Sequence, residues 1–284
     1  MKERNIKTTV ASLIAALAVA GALTAGNAVA GIANTKHNLG TTGTGSNHQT
    51  AGTAELCVFC HTPHGADTSA TVPLWNRVLA APVTYSTYNS LGTSSLDGST
   101  AAVGSVSIAC LSCHDGVQAM DVMINQPGSG GFNAAGAAAT GNVWSGSAQL
   151  NGATVTNTGV DLRNDHPIGV QYAGGPVTGT VPDAPNDYTT SQFKDRDFKD
   201  AKSAILNGKS VWWVETPGSG NGRQKTDMQL YTRTGALALG SGTTLNGDQP
   251  YVECASCHDP HSENPTFLRI ANTGSAVCLA CHTK

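Results

Sequence analysis

The C-terminal end of the chain reads Cys254-Ala255-Ser256-Cys257-His258 and, 24 residues further on, Cys278-Leu279-Ala280-Cys281-His282. The same spacing occurs twice nearer the N-terminus, as Cys57-Val58-Phe59-Cys60-His61 and Cys110-Leu111-Ser112-Cys113-His114. These four motifs contain all eight cysteines of the chain. A pattern that uses every cysteine once indicates that the motifs organise the fold.

The spacing C-x-x-C-H is the attachment signal of c-type haem. Two thiols about one helical turn apart can add to the two vinyl groups of one porphyrin, and the adjacent histidine becomes the proximal ligand of the iron. We therefore predict four covalently bound c-type haems. Their predicted proximal ligands are His61, His114, His258 and His282.

Two other readings of the cysteines are possible. The spacing of Cys254, Cys257, Cys278 and Cys281 also matches a zinc ribbon. A disulfide framework is common in secreted chains. Neither reading explains why a histidine follows every second cysteine, so both are weaker than haem attachment.

Composition points to an unusual core. Aromatic residues make up 5% of the chain, and 33 of its 284 residues are glycine. A chain with so few large apolar side chains needs other material for its core, which covalent haem would supply. The predicted fold class is a multihaem cytochrome c with little regular secondary structure, short helices at the haem motifs and a few short β-strands in a middle region.

The motif positions divide the chain into four predicted segments. These are a signal peptide (1–30), an N-terminal two-haem unit (31–124), a Gly/Ser/Thr-rich middle region without haem motifs (125–250) and a C-terminal two-haem unit (251–284). The first and third motifs continue alike, as Cys60-His61-Thr62-Pro63-His64 and Cys257-His258-Asp259-Pro260-His261. Pro73-Leu74-Trp75-Asn76-Arg77 and Pro265-Thr266-Phe267-Leu268-Arg269 extend the likeness, which indicates a duplicated two-haem unit.

The middle region carries weak signals of regular structure. Ala153–Thr156 and Val211–Val214 favour strands. Phe198, Ala201 and Ile205 would share one face of a helix that Asn207-Gly208 ends.

Five further histidines are candidates for the distal positions of the four irons: His37, His48, His64, His166 and His261. His64 and His261 lie three residues beyond a proximal histidine, and three residues span at most about 10 Å. Each should therefore bind a neighbouring haem rather than its own. His48 is the predicted spare, and Met120, Met123 or Met228 could serve instead of a histidine.

The N-terminus predicts export. Lys2, Arg4 and Lys7 precede an apolar stretch, 10–23, and Ala28-Val29-Ala30 is a small-residue cleavage site. We expect a secreted protein at the cell surface or outside the cell, or alternatively in the periplasm. No second apolar stretch is long enough for a membrane span. The net charge of −3 gives no basic face for nucleic acid.

The order of these motifs resembles a known family. The segments that carry the resemblance are His37-Asn38-Leu39, the first motif with its Thr62-Pro63-His64 tail, Leu74-Trp75-Asn76, Cys110–Gly116, His166-Pro167-Ile168-Gly169 and Cys254–His261. Together they are similar to the doubled C-x-x-C-H cytochromes of metal-reducing bacteria, such as the OmcE-type tetrahaem cytochromes. The resemblance implies bis-histidine haems, with distal ligands at His37, His64, His166 and His261. It also implies extracellular nanowire filaments in which a neighbouring subunit donates one distal histidine.

The expected function is electron transfer, with copies of itself, redox-partner cytochromes and extracellular electron acceptors as partners. The alternatives are a monomeric periplasmic shuttle or a multihaem reductase. We expect no enzyme activity, because a reductase needs an iron with an open position and the surplus of histidines gives no hint of one. His37, seven residues into the predicted mature chain, is the expected histidine donated to the next subunit, since such a terminus is mobile unless something holds it. His48 is the fallback donor.

Overall fold

The computed structural model describes residues 31–79, 83–128, 130–152, 154–165, 167–178, 181–233, 237–238, 244–245 and 248–284. The predicted signal peptide, 1–30, lies outside the described residues, as do His166 and Ala153. Contacts between Cα atoms group Gly31–Lys284 into one unit. The predicted boundaries inside this unit remain predictions.

Each α-helix of the described residues carries a C-x-x-C-H motif. The helices are α1 (Ser105–His114), α2 (Cys254–Cys257) and α3 (Ala276–Cys281). The first motif forms a single turn instead, in which the amides of Cys60 and His61 donate to the Cys57 carbonyl at 3.1 and 2.8 Å. Short helices at the haem motifs, as predicted, are therefore present at three of the four. Single 3₁₀ turns lie at Gly31–Asn34, Tyr88–Leu91, Leu162–Asn164, Tyr172–Gly174, Thr190–Gln192, Pro265–Phe267 and Thr273–Ser275.

A five-stranded antiparallel sheet supports the C-terminal motifs. Its order is β5 (Val170–Gln171), β11 (Gln249–Val252), β8 (Met228–Arg233), β7 (Lys209–Val214) and β6 (Lys202–Leu206). Strand β11 runs directly into α2, where Glu253 and Ser256 form a reciprocal cap, satisfying amides at the helix start. The sheet therefore fixes where the third motif begins.

Three smaller strand pairs complete the regular structure of the described residues. They join β1 (Gln49–Ala51) to β4 (Val143–Trp144), β2 (Val122–Asn125) to β3 (Phe132–Ala138), and β9 (Leu237–Ala238) to β10 (Thr244–Leu245). Few helices and short strands agree with the predicted scarcity of regular structure. None of the helices in the described part of the chain is long and apolar enough to cross a bilayer.

The predicted helix around Phe198, Ala201 and Ile205 is wrong. Residues 202–206 form strand β6, and Asn207-Gly208 turn the chain back into β7, with φ angles of 50° and 72°. Two successive positive φ angles in an Asn-Gly pair suit the tight turn of a β-hairpin. Val211–Val214 does lie in a strand, as predicted, whereas Thr154–Thr156 lies in a turn-containing loop.

The apolar core consists of small clusters at the motifs. Leu39, Phe59, Met120 and Met123 pack against Cys60 and Cys113. Leu111, Leu162 and Ile168 pack against Cys254. The largest cluster, which includes Trp212, Tyr172, Phe193 and Met228, packs against Cys257 and Cys281. Met120, Met123 and Met228 thus serve in packing, and each cluster joins motifs to the surrounding chain.

Candidate functional site

Each motif closes one helical turn, which brings its two thiols to the same side. The histidine amide donates to the carbonyl of the first cysteine in three motifs, at 2.8 Å (His61–Cys57), 3.1 Å (His258–Cys254) and 2.9 Å (His282–Cys278). In the second motif the turn is part of α1. A pair of thiols held one turn apart is the arrangement that two vinyl groups of one porphyrin require.

Three of the four motif histidines are oriented by a backbone carbonyl. Their Nδ1 atoms lie 2.8 Å from the Pro73 oxygen (His61), 2.7 Å from the Thr156 oxygen (His114) and 2.7 Å from the Thr266 oxygen (His258). A carbonyl only accepts hydrogen bonds, so Nδ1 carries the proton, and in the neutral ring Nε2 then carries the lone pair. This is the tautomer of a metal-binding histidine, so these residues fit haem iron.

His282 of the fourth motif is held differently. Its ring lies against Phe198, with ring centroids 4.2 Å apart, and its backbone bridges to the same residue. Packing rather than a hydrogen bond orients this imidazole.

The first and third motifs are followed by the same pattern of backbone hydrogen bonds. The Thr62 amide donates to the Leu74 carbonyl at 2.8 Å, and the Asp259 amide donates to the Phe267 carbonyl at 2.7 Å. Asn76 and Arg269 each lie two residues after these acceptors. Their backbone amides donate to the carbonyl of the second motif cysteine, Cys60 and Cys257 respectively, both at 2.9 Å. The loop in the first copy is four residues longer than in the second, but both copies return to the same place.

This geometry corrects the predicted alignment of the two copies. Asn76, not Arg77, is the counterpart of Arg269. The Asn76 side chain donates to the Val58 carbonyl at 2.6 Å, and the Arg269 side chain donates to the equivalent Ala255 carbonyl at 2.8 Å. Aligning Arg77 with Arg269 by sequence would place the two copies one residue out of register.

In two places, the ring of a motif histidine lies close to the ring of a histidine from outside the four motifs. The ring centroids of His61 and His261 are 6.2 Å apart, and those of His37 and His114 are also 6.2 Å apart. Imidazoles on opposite sides of one metal ion, each bound at about 2.0–2.1 Å, have centroids roughly 6.3 Å apart. Both spacings therefore match two ligands of one iron. His261 lies beside His61 of the first motif, not opposite its own His258.

His37 is held within its own chain. Its ring stacks on Phe267 at a centroid distance of 4.0 Å, and its Nδ1 lies 3.4 Å from the Pro260 oxygen. Desolvation, followed by the neighbouring His114, lowers the pKa of His37 to about 4, so the ring is neutral at pH 7, as a metal ligand must be. Nearby, Asn34 Nδ2 donates to Glu263 Oε1 at 3.2 Å. These contacts hold His37 beside its own chain, and donation of His37 to another subunit stays a prediction.

The other candidate histidines have separate surroundings. His48 is half-buried, and its Nδ1 lies 2.7 Å from the Gly45 oxygen, the same orientation that the motif histidines have. His64 is exposed, and its backbone carbonyl accepts from Asn125 Nδ2 at 2.7 Å. The structure places no motif histidine ring beside His64 within the described part of the chain.

The four motifs follow one another in space in their sequence order. Cys60 and Cys113 border one apolar cluster, and Cys257 and Cys281 border another. The thiols of Cys110 and Cys254 hydrogen bond to each other, linking the second motif to the third. Burial raises the pKa values of Cys60 and Cys281 to about 12, so these thiols are neutral.

The alternative cysteine chemistries find no support in this arrangement. All eight cysteines are unpaired. Among the described residues, no three His, Cys, Asp or Glu side chains are grouped to hold a metal ion. The cysteines of the third and fourth motifs are thus not grouped as the four-sulfur site of a zinc ribbon would need.

One feature of the site escaped sequence reasoning. The buried indole N–H of Trp75 has no partner in the described residues, and its ring lies 6.3 Å from that of His61. An orphaned donor beside a motif histidine would fit an acceptor on a group bound at this motif, because buried polar groups are nearly always paired. The sequence showed Trp75 only as part of the Pro73–Arg77 segment that follows the first motif.

Comparison with protein families supports the motif chemistry. Residues 248–284 match the family model for the doubled CXXCH motif, which covers the third and fourth motifs and strand β11. This match identifies the C-terminal segment as a paired motif of the kind that attaches c-type haem. No curated protein matches the chain significantly.

Proposed function

We propose that this chain is a tetrahaem c-type cytochrome that transfers electrons. The observation that carries the proposal is the spacing of the two histidine pairs, 6.2 Å in both cases. At these two irons a pair of histidines would leave no open position for a substrate, which favours an electron carrier over a reductase. The doubled CXXCH match at 248–284 supports haem attachment independently of this spacing.

The side chains of the motifs would hold the haems. Cys57 and Cys60, Cys110 and Cys113, Cys254 and Cys257, and Cys278 and Cys281 would form the thioethers. Bound there, haem supplies an iron that gains and loses one electron. The protein's own part is to keep the imidazoles in the ligating tautomer through the carbonyls of Pro73, Thr156 and Thr266, and to cover the site with apolar side chains.

The two histidine pairs support two sets of iron ligands. His61 and His261 would bind the first iron, and His114 and His37 the second. His258 and His282 would then draw their partners from His48, His64 and His166. The order of the motifs supports hopping from the first haem to the fourth, because close spacing is what electron transfer between haems needs.

The assignment is tested by replacing His261 with Ala. Loss of the second ligand should convert one of four haems to a high-spin form, visible in the absorption and EPR spectra, while intact mass still shows four haems. Lys225→Met is the control, since Lys225 pairs with Asp259 at 3.4 Å without being a candidate ligand. A His261→Ala protein that stays wholly low-spin with unchanged potentials would refute the pair. Fewer than four haems in the parent protein would refute the tetrahaem proposal itself.

We further propose that the protein is exported by residues 1–30 and assembles outside the cell into a haem-wire filament. The fourth motif supports this proposal, because His282 is exposed and has no second histidine ring beside it in the described residues. A histidine from the next copy could complete that site. Other redox cytochromes would supply the electrons, and extracellular acceptors would receive them. A monomeric periplasmic shuttle is the alternative.

A further inference from the structure

Arg77 is a fully buried cation between the first two motifs. Its side chain is 0% exposed. The backbone amide of the neighbouring Asn76 donates to the Cys60 carbonyl of the first motif. The Arg77 guanidinium donates to Ser112 of the second motif. The charge therefore lies between the two sites that we assign to the His61–His261 and His114–His37 pairs.

Neutral groups satisfy this guanidinium. Its Nε donates to Ser112 Oγ at 3.2 Å, Nη1 donates to the Met120 carbonyl at 2.7 Å, and Nη2 donates to the Ser112 carbonyl (3.0 Å), Gln118 Oε1 (2.8 Å) and the Ala119 carbonyl (2.8 Å). Within the described residues, no carboxylate lies within ion-pair distance of Arg77. The two buried acids that follow the second motif bind elsewhere, Asp115 to Tyr85 and Asp121 to Trp144. Neutral dipoles stabilise a buried cation but do not cancel its net charge.

The second two-haem unit is built differently. Asp259 there follows the proximal histidine, and the ammonium of Lys225 lies 3.4 Å from its carboxylate. The same carboxylate lies 3.2 Å from His261 Nδ1, so an acidic group faces these side chains. Thr62 occupies the equivalent place in the first unit. The first unit therefore lacks an acid at this place, and its two buried acids, Asp115 and Asp121, bind neutral donors rather than Arg77.

We propose that Arg77 sets the reduction potentials of the first two haem sites by favouring their reduced state. The inference rests on the proposed function, since it concerns the same four haem sites. An oxidised site carries one positive charge more than the reduced site. A fixed cation in a low-dielectric interior repels that extra charge, so the site gains an electron more readily. Arg77 is a positioning residue as well, because its five hydrogen bonds fix the loop that follows the first motif to Ser112 of the second motif and to residues 118–120.

The test is Arg77→Met, measured as haem potentials by spectroelectrochemistry with NMR assignment of each haem. We expect lower potentials at the haems of Cys57/Cys60 and Cys110/Cys113 and a smaller change at the other two. Because the charge is buried, the shift should persist in 1 M salt, where the screening length is only about 3 Å. Arg163→Met is the control, since Arg163 pairs with Asp161 on the exposed surface and its removal should leave all four potentials unchanged.

Two further variants separate charge from packing. Arg77→Lys keeps the charge with fewer hydrogen bonds, and should retain the parent potentials. Arg77→Gln removes the charge but keeps some hydrogen bonds, and should lower them as Met does. Equal shifts in the Lys and Met variants, or unchanged potentials in the Met and Gln variants, would overturn the proposal. The proposed function fails separately, if the parent protein itself lacks four low-spin haems.

Discussion

At the scale of single residues, two different side chains perform one task in the two copies of the unit. The side chains of Asn76 and Arg269 each donate to a motif carbonyl, that of Val58 and that of Ala255. Asparagine and arginine have only their N–H groups in common. The equivalence was invisible in the sequence, where the two arginines are the obvious match. Hydrogen-bonding capacity, not side-chain identity, is what the duplicated unit retains.

Asn76→Asp should destabilise the first motif. The buried Asn76 amide donates to the carbonyls of Val58 and Asn125 at 2.6 and 2.9 Å, and a carboxylate cannot donate to either. Each buried carbonyl left without its donor costs about 1–3 kcal/mol. Guanidinium chloride unfolding followed by circular dichroism measures the loss. Asn89→Asp, at an exposed position, is the matched control, and equal unfolding midpoints for the two variants would contradict the argument.

The residues that bear the chemistry were predictable, whereas their supports were not. The motif cysteines and histidines are recognisable because thioether attachment demands one spacing. The carbonyl acceptors of Pro73, Thr156 and Thr266 lie 8 to 42 residues from their histidines. Only the path of the loops brings them close. The contact of His37 with Phe267 was not predictable either, since nothing local in the sequence indicates that the two rings stack.

At the scale of elements, the main difference from expectation is the β6–β7 hairpin. The spacing of Phe198, Ala201 and Ile205 fits a helix, but the Asn207-Gly208 pair is also a strong hairpin signal. Pairing with β8, which places Trp212 opposite Leu230, favours the strands over the local helical pattern. The helices at the motifs were predictable, since haem attachment itself requires a helical turn.

Asn207 provides a test of the hairpin. Its φ of 50° suits glycine and disfavours a β-branched residue. Asn207→Gly should therefore keep the parent's stability, while Asn207→Val should lose about 1–2 kcal/mol. A helical residue at this position would give the reverse order, because valine is the better helix former of the two. Thermal unfolding of both variants decides between them.

At the scale of the whole molecule, the motifs form a series with an incomplete end. The contacts run from the first motif to the fourth, and His282 at the end of the series is exposed. With His37 held beside His114, the fallback His48 becomes the expected donor to the next copy. Its Nδ1 contact with Gly45 leaves Nε2 free for an iron.

His48→Ala should therefore abolish filaments and leave one high-spin haem per subunit. Electron microscopy of the secreted fraction measures the first result and EPR the second. Thr50→Ala, two residues further on and exposed on β1, is the control and should assemble normally. Normal filaments of the His48→Ala protein, with wholly low-spin haem, would exclude His48 as the donor. Monomers in the parent preparation would favour the periplasmic shuttle.

The unequal loops after the first and third motifs have an evolutionary and practical consequence. Four residues separate the two loops in length, yet the same hydrogen bonds close both. Insertions and deletions in this loop are thus tolerated without displacing the ligand they surround. The exposed Thr68, four residues beyond the candidate ligand His64, is consequently a natural place for an affinity tag or a fluorophore.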